Sequence, residues 1–440
     1  MKAKWLPISA AVALALGSVS ASAVDFHGYF RAGSTYATQG GDAYCHGTGN
    51  TGHYLGRLAD ECDTYAEITL SQEVFNKNNN KFTVNTLVAY GTEEGNWDHQ
   101  GNSWQGVGGN GPWGGQRMSL REAWAGYEMP SGVQLWAGKR FYQRKDIHIM
   151  DYYYLNNSGN GFGVENIDTG LGSVSVAIIK HQTDFGGADG DANRNSWKLD
   201  TRWSGIPLWT DGSLDVAMIY AWQNLSETQK KTEKANNGYL AMVEWTQGNF
   251  FGGFNKFSIS YGHDALDGLG ALRYSGNHAG DNVIPYSEKG NGYRLIDWGV
   301  IEQPSWNLGY ALIWTHKNAF DENTREGGAN WSPVTGNDFN IVLRPAYKWS
   351  DFTSTVLEFG YYNFSTNHKN DAGEIVHENS RTRATKLTLA QQWSPSTQFW
   401  ARPSIRVFAS WLSGKAFDHQ FDDHNDSHQI TLGAQVEAWW

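Results

Sequence analysis

Two cysteines and ten prolines in 440 residues, more acidic than basic side chains, and no long apolar run beyond the N-terminal segment bound what this chain can be. Two thiols exclude a disulfide-built scaffold. Cys45 and Cys62 have only His46 and His53 as nearby companions, too few for a convincing tetrahedral metal centre, and no metal or cofactor is expected. With 34 Lys and Arg against 45 Asp and Glu, the net charge is -11, which argues against nucleic acid as a partner. No stretch of about 18 apolar residues follows Val24, so no transmembrane helix is expected. An acidic, proline-poor chain with 21 Trp, 21 Tyr and 20 Phe is not a disordered acidic protein either, because those rings must be placed somewhere.

The N-terminus fixes the compartment. Lys2 and Lys4 precede an apolar run from Ile8 to Leu16, and Ala21-Ser22-Ala23 offers small residues for cleavage before Val24. Residues 1–23 therefore read as a secretory signal peptide, and 24–440 as one mature domain. In an oxidising compartment Cys45 and Cys62 read as one disulfide. It would contribute roughly 3 kcal/mol in the chain-entropy model, enough to pin a loop but not to hold the domain together.

Strict alternation is what the chain has in abundance. From Gln429 to Trp440, Gln429, Thr431, Gly433, Gln435, Glu437 and Trp439 share one face, while Ile430, Leu432, Ala434, Val436, Ala438 and Trp440 share the other. A strand with one polar and one apolar wall, repeated along a chain bound for export, predicts a membrane β-barrel. Alternating segments recur at Val24 to Gly33, Asp63 to Val74, Lys81 to Tyr90, Val133 to Phe141, Phe254 to Tyr261, Leu308 to Trp314, Lys386 to Trp393 and Gln398 to Trp411. Gly, Asn and Asp clusters of very unequal length separate them, as long outer loops and short periplasmic turns would. At about 10 residues per spanning strand, the mature chain accommodates roughly 16 to 18 strands, wide enough for a wet channel.

Parity then sorts side chains. Tyr29 and Arg31 share the lumenal face of the first strand, opposite Phe26 and Phe30; Tyr65 and Glu67 lie opposite Ala66 and Ile68. Phe254 lies opposite Phe257 and Ile259, and Trp400, Arg402 and Arg406 lie opposite Phe399, Ile405 and Val407. Lumenal aromatics alternating with charges suit a sugar, whose apolar C–H faces stack on rings while its hydroxyls are read by Arg, Glu and Asp. Space-filling rings in a general pore give the same parity.

The sequence blocks Val24-Asp25-Phe26-His27-Gly28-Tyr29, Gly138-Lys139-Arg140-Phe141-Tyr142-Gln143-Arg144, Asp146-Ile147-His148, Asp151-Tyr152-Tyr153-Tyr154, Leu389-Ala390-Gln391-Gln392-Trp393, Arg402-Pro403-Ser404-Ile405-Arg406-Val407-Phe408 and terminal Trp439-Trp440 closely resemble maltoporins. The resemblance implies an all-β transmembrane antiparallel barrel of 18 strands in the bacterial outer membrane. It also implies a homotrimer that passes maltose and maltodextrins by facilitated diffusion. The family's aromatic slide falls on Tyr29, Tyr65, Phe254, Trp400 and Trp439, with Trp97 reaching in from a neighbouring subunit. Its polar tracks fall on Arg31, Arg57, Glu67, Arg121, Arg144, Asp146, His148 and Asp151, and its constriction ring on Tyr153. The alternative is a general porin, or one selective for sucrose or aryl-glucosides, which would want smaller groups than Arg144 and Tyr153 at the constriction.

Leu155-Asn156 stands where the resemblance leads one to expect Trp-Asp, and the Gly-rich stretch from Gly101 to Gly115 departs in composition. Gly106 to Gly111 fits G-x-G-x-x-G but opens no helix. Asp189, Asp191 and Asn193 begin a calcium-loop spacing that Arg194 breaks. No H-E-x-x-H or G-x-S-x-G occurs, and a slide must release its sugar intact, so an enzyme is not expected.

Overall fold

The computed structural model describes residues 24–41, 43, 53–61, 64–92, 105–107, 116–184, 193–227, 229–232, 237–266, 288–321, 334–369, 375–414 and 428–440. The chain forms a closed antiparallel barrel of 18 strands. They are β1 (Asp25–Ala37), β2 (Tyr65–Lys77), β3 (Asn80–Thr92), β4 (Gln116–Glu128), β5 (Gln134–Arg140), β6 (Gly159–Asp168), β7 (Ser173–Asp184), β8 (Asn193–Pro207) and β9 (Gly212–Asn224). The second half comprises β10 (Gly238–Phe250), β11 (Gly253–Asp264), β12 (Glu288–Glu302), β13 (Trp306–Asp321), β14 (Val334–Lys348), β15 (Thr353–Lys369), β16 (Ile375–Trp393), β17 (Ser404–Gly414) and β18 (His428–Trp439). Each strand pairs with its chain neighbours. β1 closes the cylinder against β18, from Tyr29 opposite Trp439 to Ala37 opposite Thr431. No helix among the described residues is long and apolar enough to cross a membrane.

The barrel reverses the burial of a water-soluble protein. On β17, Ile405 and Val407 are 53% and 52% exposed on the outside, whereas Arg406 between them is 5% exposed on the inside. Such an apolar outer wall is stable only against lipid, and the protein is an outer-membrane β-barrel. Large exposed rings, among them Trp209, Phe251, Trp306, Trp349 and Phe352, cluster where short turns join the strands. These turns, such as 78–79 and 251–252, place Asn78, Asn79, Phe251 and Gly252 at positive φ, as tight hairpins require. The start of β1 and the C-terminal Trp440 meet on the same rim. Trp440 exchanges backbone hydrogen bonds with Gly28, and its indole lies where a Gly28 side chain would project, flanked by Phe26 and Phe30.

Among the described residues, residues 53–61 after β1 and residues 141–158 between β5 and β6 fold back into the lumen. The second carries a two-stranded hairpin, Lys145–Ile147 with Tyr152–Leu155, around a 3₁₀ turn at His148–Met150. Tyr54, Leu55, Ile147, Ile149, Met150, Tyr152, Tyr154 and Leu155 form a dry core with inward side chains of the wall, including Ile219, Met242, Ile296, Ile313, Val342 and Phe364. These inward segments fill their side of the interior as a soluble core is filled, and the open path is what they leave.

The segment expected as strand from Gln398 to Trp411 begins only at Ser404; residues 394–403 form the turn between β16 and β17. Pro403 supplies no ladder donor there. Strand parity consequently fails at Phe399. Its ring points inward over Gly309 and packs on the lumenal core instead of facing lipid.

Candidate functional site

Pairing of β1 with both its neighbours brings the first three expected rings together. Tyr65 lies opposite Arg31, and Tyr29 lies opposite Trp439. The Tyr29 and Tyr65 ring centroids are 6.2 Å apart, with the Arg31 guanidinium 5.1 Å over Tyr65. The path continues on the turn after β16. The His148 imidazole lies 5.3 Å from Trp439 and 5.5 Å from Trp400, and Trp400 touches Phe399 at 4.9 Å. Phe254, at the start of β11, packs at the edge of the same lumenal core and meets Trp298 at 5.1 Å. Five of the six expected aromatic positions lie among the described residues, with Tyr65, Tyr29, Trp439 and Trp400 linked by pairing or ring contacts and Phe254 beside Trp298. Trp97 lies outside the described residues, as do Cys45, Cys62 and residues 1–23.

The expected polar positions lie on the wall strands, on residues 53–61 and on the lumenal hairpin. On β2, the Tyr65 hydroxyl donates to Glu67 at 2.6 Å. On β4, a bulge between Leu87 and Val88 of β3 turns both Arg121 and Glu122 inward; Arg121 is within electrostatic reach of Tyr65. Arg144 is stacked between Phe141 and Tyr153, its Cζ 3.6 Å and 4.7 Å from the two ring centroids. Tyr153 pairs across the hairpin with Asp146. Asp151, in a left-handed conformation that closes the 3₁₀ turn, is 3.4 Å from Arg31. Arg57 reaches across from residues 53–61 to Glu61, the Tyr29 hydroxyl, His148 Nδ1 and Glu437.

Glu437 was legible only as a lumenal position; its partners make it the shared counter-ion of the site. It is 2% exposed and lies within 3.4 Å of Arg57, Arg402, Arg406 and His148. Phe141 and Glu61 likewise join the site without having been singled out, and Arg402, read only as lumenal, joins it through its partners, because contacts between segments distant in the chain leave no spacing signal. Behind the hairpin, Lys145 bridges Asp215 and Glu244, each at 2.7 Å, and the Tyr154 hydroxyl donates to Glu244 at 2.6 Å. The buried wall cations Arg294, Arg344 and Lys386 donate to the carbonyls of Tyr154, Ile149 and Leu58, respectively. Basic side chains thus fasten backbone that is neither helix nor barrel strand, satisfying acceptors that burial would otherwise strand.

Burial pushes the His148 imidazole down to about 4, opposed by Glu437 and reinforced by Arg57 and Arg402. Burial also pushes the Asp146 carboxyl up, against Arg144. At Asp151 burial acts upward, but Arg57 and Arg31 outweigh it and hold the carboxyl below its ordinary range. Because the folded His148 value lies below the unfolded value of about 6.5, its contribution to stability is lost as pH falls from about 6.5 towards 4. The pH dependence of the melting temperature should accordingly be the same for the wild type and His148→Gln from neutral pH upward, and diverge as the pH falls below about 6.5. A divergence already at neutral pH would contradict a neutral imidazole.

The route offers flat rings to apolar sugar faces and ionised groups, fixed by one another, to hydroxyls. The LamB porin family profile matches residues 24–440. Among solved structures, the chain is similar to OccAB1 of Acinetobacter baumannii, at 11% identity over 95% of this chain and 96% of that one, TM-score 0.47. It is also similar to OpdK of Pseudomonas aeruginosa, crystallised with vanillate, at 9% identity over 94% and 98%, TM-score 0.46. The trimer form of OmpT, an outer membrane protein of Vibrio cholerae, matches at 10% identity over 95% and 99%, TM-score 0.37.

Proposed function

Since the chain belongs to the LamB porin family, and is therefore a channel, we propose that it carries maltose and maltodextrins across the outer membrane by facilitated diffusion. What supports this reading is the run of neighbouring rings from Tyr65 to Tyr29, to Trp439 and, through His148, to Trp400, with Arg144 stacked on Tyr153 and Asp151 3.4 Å from Arg31 on the lumenal hairpin. A glucan would move with its C–H faces on the rings and its hydroxyls exchanging partners among Arg31, Arg57, Glu67, Arg121, His148 and the hairpin charges. Many overlapping weak contacts keep each step low, whereas one tight site would trap the sugar. In the same reading residues 1–23 are removed on export, Cys45 and Cys62 are joined, and three copies assemble so that Trp97 of one reaches the entrance of another.

The test is single-channel current in a planar bilayer under titration with maltohexaose, with sucrose as control. Saturable block by maltohexaose, far stronger than by sucrose, is expected. An open current indifferent to both sugars reduces the protein to a general porin, and stronger block by sucrose gives the selectivity to that sugar. Trp439→Ala should weaken maltohexaose block by about 1 kcal/mol, roughly fivefold, with normal folding, since the ring has no lipid contact.

A further inference from the structure

The exit-side rings Trp400 and Trp439 come from different elements, a turn and the last strand, yet one side chain touches the surroundings of both. The Arg402 side chain is 2% exposed. Its Cζ lies 4.2 Å from the Trp439 ring centroid, so the guanidinium covers one face of that indole. Every nitrogen of the fork is occupied. Nε donates to Glu437 at 2.8 Å, Nη1 donates to the carbonyls of Phe399 at 3.2 Å and Ala401 at 2.9 Å, and Nη2 lies 3.3 Å from His148 Nε2. The two carbonyls flank Trp400 in the chain, and His148 is the ring that lies between Trp400 and Trp439.

We infer that Arg402 is the positioning residue of the exit, fixing Trp439 by stacking and Trp400 through the backbone on either side of it, so that the two rings meet a sugar as one surface. The inference rests on the slide reading proposed above. A guanidinium with all its donors held cannot swing aside, and the indole face it covers is unavailable to sugar, which leaves Trp439 a single working face. An ammonium at this position keeps the charge and the Glu437 pair, but can neither stack flat nor span both carbonyls.

Maltohexaose block is measured for the wild type, Arg402→Lys, Arg402→Met, Trp439→Ala and the double variant Arg402→Met with Trp439→Ala, together with open-channel conductance. Arg402→Met is expected to weaken block about tenfold and Arg402→Lys several-fold, with the barrel still migrating as a compact folded species in detergent gels. The double variant should be no weaker than the worse single variant, because Arg402 acts through the ring. Unaltered block in Arg402→Lys, or full additivity in the double variant, overturns the inference; the lysine variant keeps the test alive if the methionine variant does not fold. If Trp439→Ala alone leaves block unchanged, the slide reading itself fails.

Discussion

Glu437→Leu should be the most damaging single substitution in the lumen, costing about 3 to 5 kcal/mol. The carboxylate is the common partner of Arg57, Arg402, Arg406 and His148, and it is nearly fully buried. Leucine would leave three guanidinium groups crowded together with their shared anion gone, and each would be drawn towards water and away from the ring or carbonyl it now holds. Two readouts should move together: the temperature at which the folded barrel loses its compact migration in detergent gels should drop, and maltohexaose block should weaken. Glu437→Gln keeps an acceptor but no charge, and should lie between. A leucine variant with the wild-type melting temperature would mean that the cluster is solvated and that the charges do not depend on one another.

The second large effect concerns a glycine. A Cβ placed on Gly360 of β15 would lie 2.0 Å from the Leu55 carbonyl oxygen and 2.7 Å from its Cα, backbone that cannot give as a side-chain tip can. Gly360→Val should therefore push residues 53–61 off the wall and towards the open path. Arg57 travels with that segment, so the open path loses width and a polar side chain at once. The expected result is a folded barrel, with stability lowered by about 1 to 3 kcal/mol, and a smaller conductance. An unchanged conductance would indicate that the displaced segment finds room elsewhere.

Strand parity was most informative where one face meets lipid and the other meets water. β1, β2, β17 and β18 were legible for that reason, and with them Tyr29, Arg31, Tyr65, Glu67 and Trp439. β9, β10 and β12 gave no such signal. Their inward residues Ala217, Ile219, Leu240, Met242 and Ile296 are apolar because they pack on the lumenal segments, so both faces of these strands are apolar and the period of two disappears. The same packing is why the hairpin reads as an ordinary loop in the sequence. Phe399 was misassigned because a turn, not a strand, carries it, and the paired inward turn of Arg121 and Glu122 depends on a bulge that no local composition announces. The role of Glu437 required knowing that Arg57, His148 and Arg402 converge from three separate connections.

The pairing of Tyr29 with Trp439 has a temporal consequence. These adjacent rings belong to the first and last strands, separated by nearly the whole length of the chain, and they become neighbours only when β1 and β18 zip together. Glu437 arrives with the same strand and completes the charge cluster around Arg57. A chain arrested one strand short of the end would thus lack the Tyr29–Trp439 pair as well as a wall. The pair appears in the same final act that seals the cylinder, so no partly inserted intermediate can have this part of the finished interior.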